Sequence, residues 1–222
     1  MSQDPSFHRI AISGIRPLGS AFALAWKRDF DFSPGQLVSL ALREGGESRL
    51  YSLASGPRED EARVLFNVAE GGALTPSLAG LGPGDELWLS GPSGSFPAPM
   101  GPGVWIANGT GVAPFVSMAR AGLAPEKRLL HGARALEDFY FQDELAAALG
   151  ERYTRCLSGP GREALGTAGI FCGRLTAFIE SRSWDPGLSY ELCGSALMVV
   201  EVRDLLIDRG VPHSRIISEV YF

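Results

Sequence analysis

The chain has 222 residues, of which 45% are hydrophobic and 20% are charged, a composition typical of globular proteins that bury a core. A net charge of −5 and a pI near 5.3 exclude the basic surface that nucleic-acid binding requires. Three cysteines without a CxxC pair argue against a structural zinc site, a cysteine-ligated iron–sulfur cluster and a disulfide framework. We therefore expect no metal site and a reducing cytoplasm as the setting.

Residues 87–119 contain no charged side chain and are long enough to span a bilayer. Six glycines and five prolines interrupt this segment, and a continuous helix would not tolerate them. The N-terminal residues lack the basic-then-apolar layout of a secretory signal. We therefore expect no membrane span.

The first half of the chain consists of short runs rich in Val, Leu, Ile and aromatic residues, separated by Gly- and Pro-containing turns. Short strands at this spacing predict an antiparallel barrel or sandwich. The predicted strands are 10–15, 21–26, 37–42, 64–68 and 86–90. A short helix is expected over 74–81, with Thr75 as its cap and Pro76 in its first helical position.

A run of Pro and Gly over residues 95–103 predicts a boundary between two domains, 1–98 and 99–222. Beyond this boundary strands alternate with helices, which is typical of a parallel, doubly wound sheet. The predicted strands are 104–108, 128–132, 153–157 and 189–193, and the predicted helices are 114–121, 137–149, 175–180 and 196–208. Residues 216–222 close the chain as an extended segment.

The first strand of the second domain runs into Gly109-Thr110-Gly111-Val112-Ala113-Pro114 and then a helix. Free backbone N–H groups and the positive end of a helix dipole favour an anionic pyrophosphate at such a turn. Pro114 replaces the third glycine of the usual GxGxxG pattern, so a plain tight turn is an equal alternative. Arg134 ends the next strand, where an arginine suits a 2′-phosphate, although a solvated surface arginine is the competing interpretation.

The first domain offers Arg49-Leu50-Tyr51-Ser52 on a predicted strand, where alternation places Arg49 and Tyr51 on one face and Ser52 on the other. An arginine for phosphate oxygens, an aromatic ring for stacking and a hydroxyl for a ring nitrogen form a candidate flavin-binding set. The alternative is an ordinary barrel strand with a tyrosine in the core.

Six motifs in order resemble the ferredoxin–NADP reductase superfamily over nearly the whole chain. The motifs are Arg49-x-Tyr51-Ser52, 72–78 and 91–96 in the flavin half, and 109–115, 192–195 and 219–222 in the pyridine-nucleotide half. The resemblance implies an antiparallel Greek-key β-barrel that binds FAD, followed by a Rossmann-like α/β domain with a parallel sheet that binds NADP(H).

For the flavin, the resemblance implies that Arg49 neutralises the FAD pyrophosphate, Tyr51 packs on the isoalloxazine and Ser52 forms a hydrogen bond near N5. Thr75 and the backbone of Gly72–Leu74 would hold the flavin phosphates at the start of the short helix. Val68 would be a further flavin contact in the first half of the chain.

For the nucleotide, the resemblance implies binding by Gly109, Thr110 and Gly111, with Cys193 near the nicotinamide C4. Glu219 would assist proton supply, and Tyr221, followed by the aromatic Phe222, would stack on the ring face that the nicotinamide must reach. The predicted catalytic residues are thus Ser52, Cys193, Glu219 and Tyr221. Their alternatives are a small buried hydrophobe for Cys193, a solvated charge for Glu219 and core packing for Tyr221.

The choice of NADP over NAD depends on Arg134 and Arg174, which the resemblance assigns to the 2′-phosphate. A Ser-Arg pair common in NADP-dependent bacterial members is missing from residues 157–160, and the next arginine is Arg162.

The activity implied by the resemblance is hydride exchange between NADPH and FAD, coupled to single-electron exchange with ferredoxin or flavodoxin, in a monomer. One alternative is an NADH-linked reductase component of a multicomponent oxygenase. Another is a non-catalytic flavin relay subunit, whose usual cysteine cluster is missing, and a third is a reductase that releases reduced flavin. An acidic partner would require a basic patch, for which Lys27, Arg28 and Arg43 are candidates.

Overall fold

The computed structural model describes residues 6–97, 99–160 and 169–221. The chain divides into two compact units, Met1–Ser95 with Ala113–Ala121, and Phe96–Val112 with Gly122–Phe222. Two residues discussed above, Arg162 and Phe222, lie outside the described residues.

The first unit contains six strands in one antiparallel sheet. They are β1 (His8–Leu18), β2 (Ala21–Lys27), β3 (Leu37–Ala41), β4 (Ser48–Ser52), β5 (Glu61–Asn67) and β6 (Glu86–Ser93). The strand order is β4-β3-β6-β1-β2-β5, and a bridge between Leu53 and Val64 joins the two ends of the sheet. The predicted Greek-key barrel is confirmed.

The barrel interior is filled by strand residues, because successive side chains of a strand point to opposite faces and one face can be fully apolar. The fully buried members include Leu24, Trp26, Val38, Leu40, Leu53, Val64, Leu87 and Leu89. Tyr51 belongs to the same cluster, so β4 contributes an aromatic side chain to the core.

The helix of the first unit, α1, spans Leu74–Ala79 and is shorter than predicted. The expectation that Thr75 caps it was wrong, since Ala73 occupies the cap position without a side-chain hydrogen bond. Thr75 lies inside the first turn, where its Oγ1 accepts a hydrogen bond from the Ala69 N–H at 2.8 Å. Pro76 is consequently the third helical residue, and the threonine ties the preceding loop to the helix.

The second unit contains six strands in one parallel sheet. They are β7 (Gly103–Asn108), β8 (Lys127–Ala133), β9 (Tyr153–Leu157), β10 (Ile170–Cys172), β11 (Ser189–Ser195) and β12 (Ile216–Tyr221). The order β10-β9-β8-β7-β11-β12 confirms the predicted Rossmann-like sheet. Because β8 and β11 flank β7 on opposite sides, the chain reverses its winding direction at β7, and ligands of such sheets bind at the carboxyl ends beside this reversal.

Four helices connect these strands, namely α2 (Ala113–Arg120), α3 (Gln142–Leu149), α4 (Leu175–Glu180) and α5 (Ala196–Asp208). Helix α2 groups with the first unit. The helix predicted at 137–149 begins only at Gln142, because Phe141 adopts a left-handed conformation with φ of 57° that ends the helical path. The helices of the described residues are all too short or too polar to cross a membrane.

Candidate functional site

The loop after β7 approaches the loop after β11 backbone to backbone. Gly109–Val112 forms a short 3₁₀ turn that leads into α2. A Cβ atom on Gly111 would collide with the Cys193 carbonyl oxygen and would lie 2.6 Å from the Gly194 Cα. Only glycine therefore fits at position 111, and the two loops lie at the reversal point of the sheet, where a ligand of this type of fold binds in a crevice.

Asn108 joins the same two loops through its side chain. Its Nδ2 donates a hydrogen bond to Ser195 Oγ at 3.0 Å, and the Ser195 N–H donates to Asn108 Oδ1 at 2.9 Å. Ser195 Oγ in turn accepts from the Met198 N–H at 3.4 Å and caps α5. Asn108 was not predicted from the sequence, although a polar residue between an apolar strand and a glycine loop was a usable signal.

Three residues predicted as catalytic lie together on β11 and β12. These strands pair in parallel, with Cys193 opposite Glu219 and Ser195 opposite Tyr221. The Cys193 thiol is buried and lies 3.9 Å from Glu219 Oε1. Burial, followed by the charge of Glu219, raises the pKa of this thiol well above its usual range, while a hydrogen bond with Tyr221 lowers it in part. Cys193 is therefore a neutral thiol at physiological pH and not a nucleophile.

The Arg49–Ser52 segment is the edge strand β4. Tyr51 is 9% exposed, and its ring meets Phe66 edge-on with centroids 6.0 Å apart. Burial raises the pKa of Tyr51 to about 12, against the charge of Arg49. The Tyr51 hydroxyl is buried without a hydrogen-bond partner among the described residues, which costs about 1–3 kcal/mol unless a ligand supplies one. Ser52 is buried, whereas Arg49 is exposed and ion-paired with Glu47.

A cavity of about 300 Å³ lies between the loop after β3 and the start of α1. Its lining consists of Leu42, Arg43, Gly46, Glu47, Ala73 and Leu74. Leu74 is one of the predicted flavin contacts, and its neighbour Thr75 fixes the loop before the helix. Gly72 and Val68 lie on the exposed side of that loop.

The two arginines assigned to a 2′-phosphate follow β8 and β10. Arg134 is exposed, and its guanidinium has no hydrogen bond or ion pair with any other described residue. Arg174 precedes α4 and forms an ion pair with Glu201 of α5, with 2.9 Å between Nη2 and Oε2. Because Leu175 would touch a Cβ atom on Gly132 at 3.4 Å, the start of α4 lies against the carboxyl end of β8.

A buried histidine lies beneath the glycine loop. His131 of β8 is fully buried, and its Nδ1 lies 3.0 Å from the Tyr153 hydroxyl. Burial lowers the pKa of His131 to about 4, and the Gly109 backbone, which faces the ring, offsets part of that shift. The ring is neutral at physiological pH and supports the loop without adding charge. His131 was not predicted as a site residue, because a histidine on an apolar strand carries no distinguishing pattern.

Among the basic residues proposed to contact an acidic partner, Arg28 already forms a hydrogen bond and an ion pair within the first unit. Its Nε donates to the Glu59 carbonyl at 2.8 Å, and its Nη1 pairs with Asp31 at 3.2 Å. Lys27 and Arg43 are exposed.

Comparison with known proteins identifies the family. Residues 105–204 match the family model of the oxidoreductase NAD-binding domain. The chain is 36% identical to ferredoxin–NADP reductase B of Sorangium cellulosum, over 93% of this chain and 94% of that relative. The chain belongs to the ferredoxin–NADP reductase superfamily. As a member, it is a flavin-dependent oxidoreductase that uses a pyridine nucleotide.

One further relative and one solved structure differ in how much of their length this chain covers. The reductase component of propane 2-monooxygenase from Mycolicibacterium goodii is 30% identical over 86% of this chain, which spans 60% of that relative's length. The structure of a ferredoxin NADP+ reductase from Neisseria gonorrhoeae with bound FAD and NADP matches with a TM-score of 0.85 and 21% identity. That match covers 99% of this chain and 100% of the other, and it shows a shared fold.

Proposed function

We propose that this reductase transfers hydride between NADPH and FAD and exchanges single electrons with ferredoxin or flavodoxin. The observation that carries the proposal is the crevice of the parallel sheet, where the Gly111 backbone meets the loop of Cys193 and Ser195. FAD, when bound, supplies the conversion between two-electron and one-electron chemistry. The name of the relative from Sorangium cellulosum supports ferredoxin as the partner.

The residues of the first unit fit a flavin. The Tyr51 hydroxyl, which has no hydrogen-bond partner in the described part of the chain, could bond to a ligand, and the cavity beside Leu74 could be filled by one. Arg49 is exposed and contacts only its neighbours Glu47 and Ser48 among the described residues, so its guanidinium is accessible to a pyrophosphate. Ser52 and the loop that Thr75 fixes would complete the binding residues.

The residues of the second unit fit a pyridine nucleotide. The close approach at Gly111 leaves no room for a side chain, and the half-buried Gly109 and Thr110 before it would offer backbone N–H groups to a pyrophosphate. The neutral thiol of Cys193 would contact the nicotinamide without repelling or attacking it, and Glu219, whose Oε1 lies 3.9 Å from the thiol, would assist proton supply. The exposed guanidinium groups of Arg134 and Arg174 would pair with a 2′-phosphate.

We further propose a flavin-binding domain over 1–98 and a nucleotide-binding domain over 99–222, in a monomeric cytoplasmic protein. The two separate sheets support the division of labour. Cys156, Cys172 and Cys193 form no disulfide among the described residues, which suits a reducing compartment.

The deciding experiment loads the full chain with FAD and measures oxidation of NADPH and of NADH with ferricyanide as acceptor. Ferredoxin and flavodoxin then replace ferricyanide, with cytochrome c as the final acceptor. We expect turnover with NADPH in both formats. If the flavin-loaded protein reduces ferricyanide with neither nucleotide, the proposed enzymatic activity is refuted. Turnover with ferricyanide but with neither carrier protein would instead favour a reductase component that serves a dedicated oxygenase.

Tyr221 is expected to control nucleotide release. Its side chain is half-buried at the end of β12, which pairs with the Cys193 strand, and a nicotinamide there would have to displace it. Tyr221→Ser should therefore lower the Kd for NADP+ by about tenfold and slow turnover through slower product release. Difference absorbance titration and steady-state kinetics measure the two effects, and Tyr221→Phe, which keeps the ring, should stay close to the wild type. Unchanged affinity and turnover in Tyr221→Ser would end the gating idea.

A further inference from the structure

Arg134 and Arg174, at the carboxyl edge of the parallel sheet, differ in whether a neighbouring carboxylate already pairs with their charge. Arg134 has no partner among the described residues, whereas Arg174 is held by Glu201 at 2.9 Å. The Arg174 side chain is 62% exposed and the Glu201 side chain is 34% exposed. A solvent-borne anion can therefore reach Arg174, but it must compete with a carboxylate that is already in contact.

Glu201 is fixed in place by the helix that carries it. Met198, one turn before it on α5, and Val202, directly after it, are buried in the core of the second unit. Arg174 is in an extended conformation and immediately precedes Leu175, which is also buried in that core. The ion pair thus joins two anchored backbone positions, so the carboxylate stays within reach of the guanidinium.

We propose that Glu201 is a specificity-determining residue that competes with the 2′-phosphate of NADP(H) for Arg174. The inference rests on the proposed function, in which Arg174 contacts that phosphate. A phosphate dianion binds arginine more strongly than a carboxylate does, so NADPH displaces Glu201. NADPH therefore loses the free energy of the Arg174–Glu201 ion pair when it binds. NADH carries no 2′-phosphate and leaves the ion pair intact. Glu201 therefore lowers the ratio of kcat/KM for NADPH to kcat/KM for NADH.

The test is Glu201→Gln in the full FAD-loaded chain, with kcat/KM for NADPH and for NADH measured by ferricyanide reduction. We expect the NADPH/NADH ratio of kcat/KM to rise about fivefold, through a lower KM for NADPH, with NADH unchanged. Calorimetric titration of the same variant with 2′,5′-ADP and with AMP gives a readout without turnover. Compared with the wild type, the variant should bind 2′,5′-ADP about fivefold more tightly and should bind AMP with unchanged affinity.

The matched control is Asp204→Asn on the same helix. Asp204 is an exposed carboxylate paired with Arg203 at 2.8 Å, so this change removes the same charge without releasing Arg174. It should leave the nucleotide ratio unchanged. In an Arg174→Ala background, Glu201→Gln should have no effect, because the competition requires the arginine.

Three outcomes would overturn the role of Glu201. They are an unchanged ratio in Glu201→Gln, an equal rise in Asp204→Asn, and a rise that persists in the Arg174→Ala background. Each of these outcomes requires a wild-type enzyme that turns over. A wild type inactive with both nucleotides would instead refute the proposed function, and the 2′,5′-ADP titration would still test Glu201.

Discussion

Replacing Gly111 with alanine is expected to lower kcat/KM for NADPH by about 100-fold, because a misplacement of roughly 1 Å in a reactive complex has an effect of that order. The added Cβ atom would overlap the backbone at Cys193 and Gly194. That backbone cannot retreat, since β11 pairs with β7 directly beside it, with Cys193 opposite Ala107. The side-chain amide of Asn108 holds the following residue, Ser195, as well. The loops must therefore separate, and the nucleotide crevice changes shape.

Gly109→Ala is the matched control in the same turn. Gly109 has φ of 52°, where alanine costs about 1–2 kcal/mol, but nothing lies within 4 Å of the added Cβ atom. This variant should keep NADPH kinetics within about tenfold of the wild type. Stopped-flow reduction by NADPH compares the two variants, and circular dichroism with bound-FAD absorbance verifies that each is folded. NADPH kinetics in Gly111→Ala no worse than in Gly109→Ala would contradict the close-packing explanation.

Both sheets could be predicted from the sequence because apolar alternation and Gly–Pro punctuation are local signals. The failures arose where one residue departs from its intrinsic preference. Phe141 adopts a left-handed conformation that composition does not reveal, so the predicted start of α3 was five residues too early. The strand β10 has only three residues and forms by pairing with β9, a partner that the local pattern cannot specify.

The site shows the same division between local and long-range information. Cys193, Glu219 and Tyr221 were named from motifs, and they meet because β11 and β12 are adjacent and in register. Asn108 and Ser195 are 87 residues apart, and their contact exists only because β7 neighbours β11 in the sheet. A pairing of this kind follows from strand order, which no local pattern encodes.

The largest effect on the free energy of unfolding is expected from a buried ion pair near the amino ends of the parallel strands. The glycine loop lies at the other, carboxyl edge of this sheet. Lys127 of β8 and Glu191 of β11 are 1% and 0% exposed, with 3.5 Å between Nζ and Oε2. Strand β7 lies between them, and the lysine crosses it over Gly103, where a Cβ atom would lie 2.7 Å from the ammonium. Lys127→Met should lower the free energy of unfolding by about 3–5 kcal/mol at pH 8, because it leaves an uncompensated buried carboxylate.

The loss should depend on pH in a defined direction. Burial raises the pKa of Glu191, and Lys127 is among the groups that lower it, so removing the lysine raises the pKa further. A carboxyl whose pKa is higher in the folded state favours folding below its unfolded value, near 4.3, and loses that contribution as pH rises through the folded value. The deficit of Lys127→Met should therefore be smaller at pH 5 than at pH 8. Guanidinium unfolding followed by tryptophan fluorescence at both pH values measures it.

The double variant Lys127→Met/Glu191→Leu separates the buried charge from the packing. Replacing both ions with apolar side chains of similar volume removes the uncompensated carboxylate, so most of the stability should return and its pH dependence should disappear. NADPH turnover of the folded double variant should match the wild type, because the pair lies toward the amino ends of the strands and the glycine loop follows a carboxyl end. A Lys127→Met deficit below about 1 kcal/mol at pH 8, or one that does not shrink at pH 5, would show that Glu191 is not a buried charge held by the lysine.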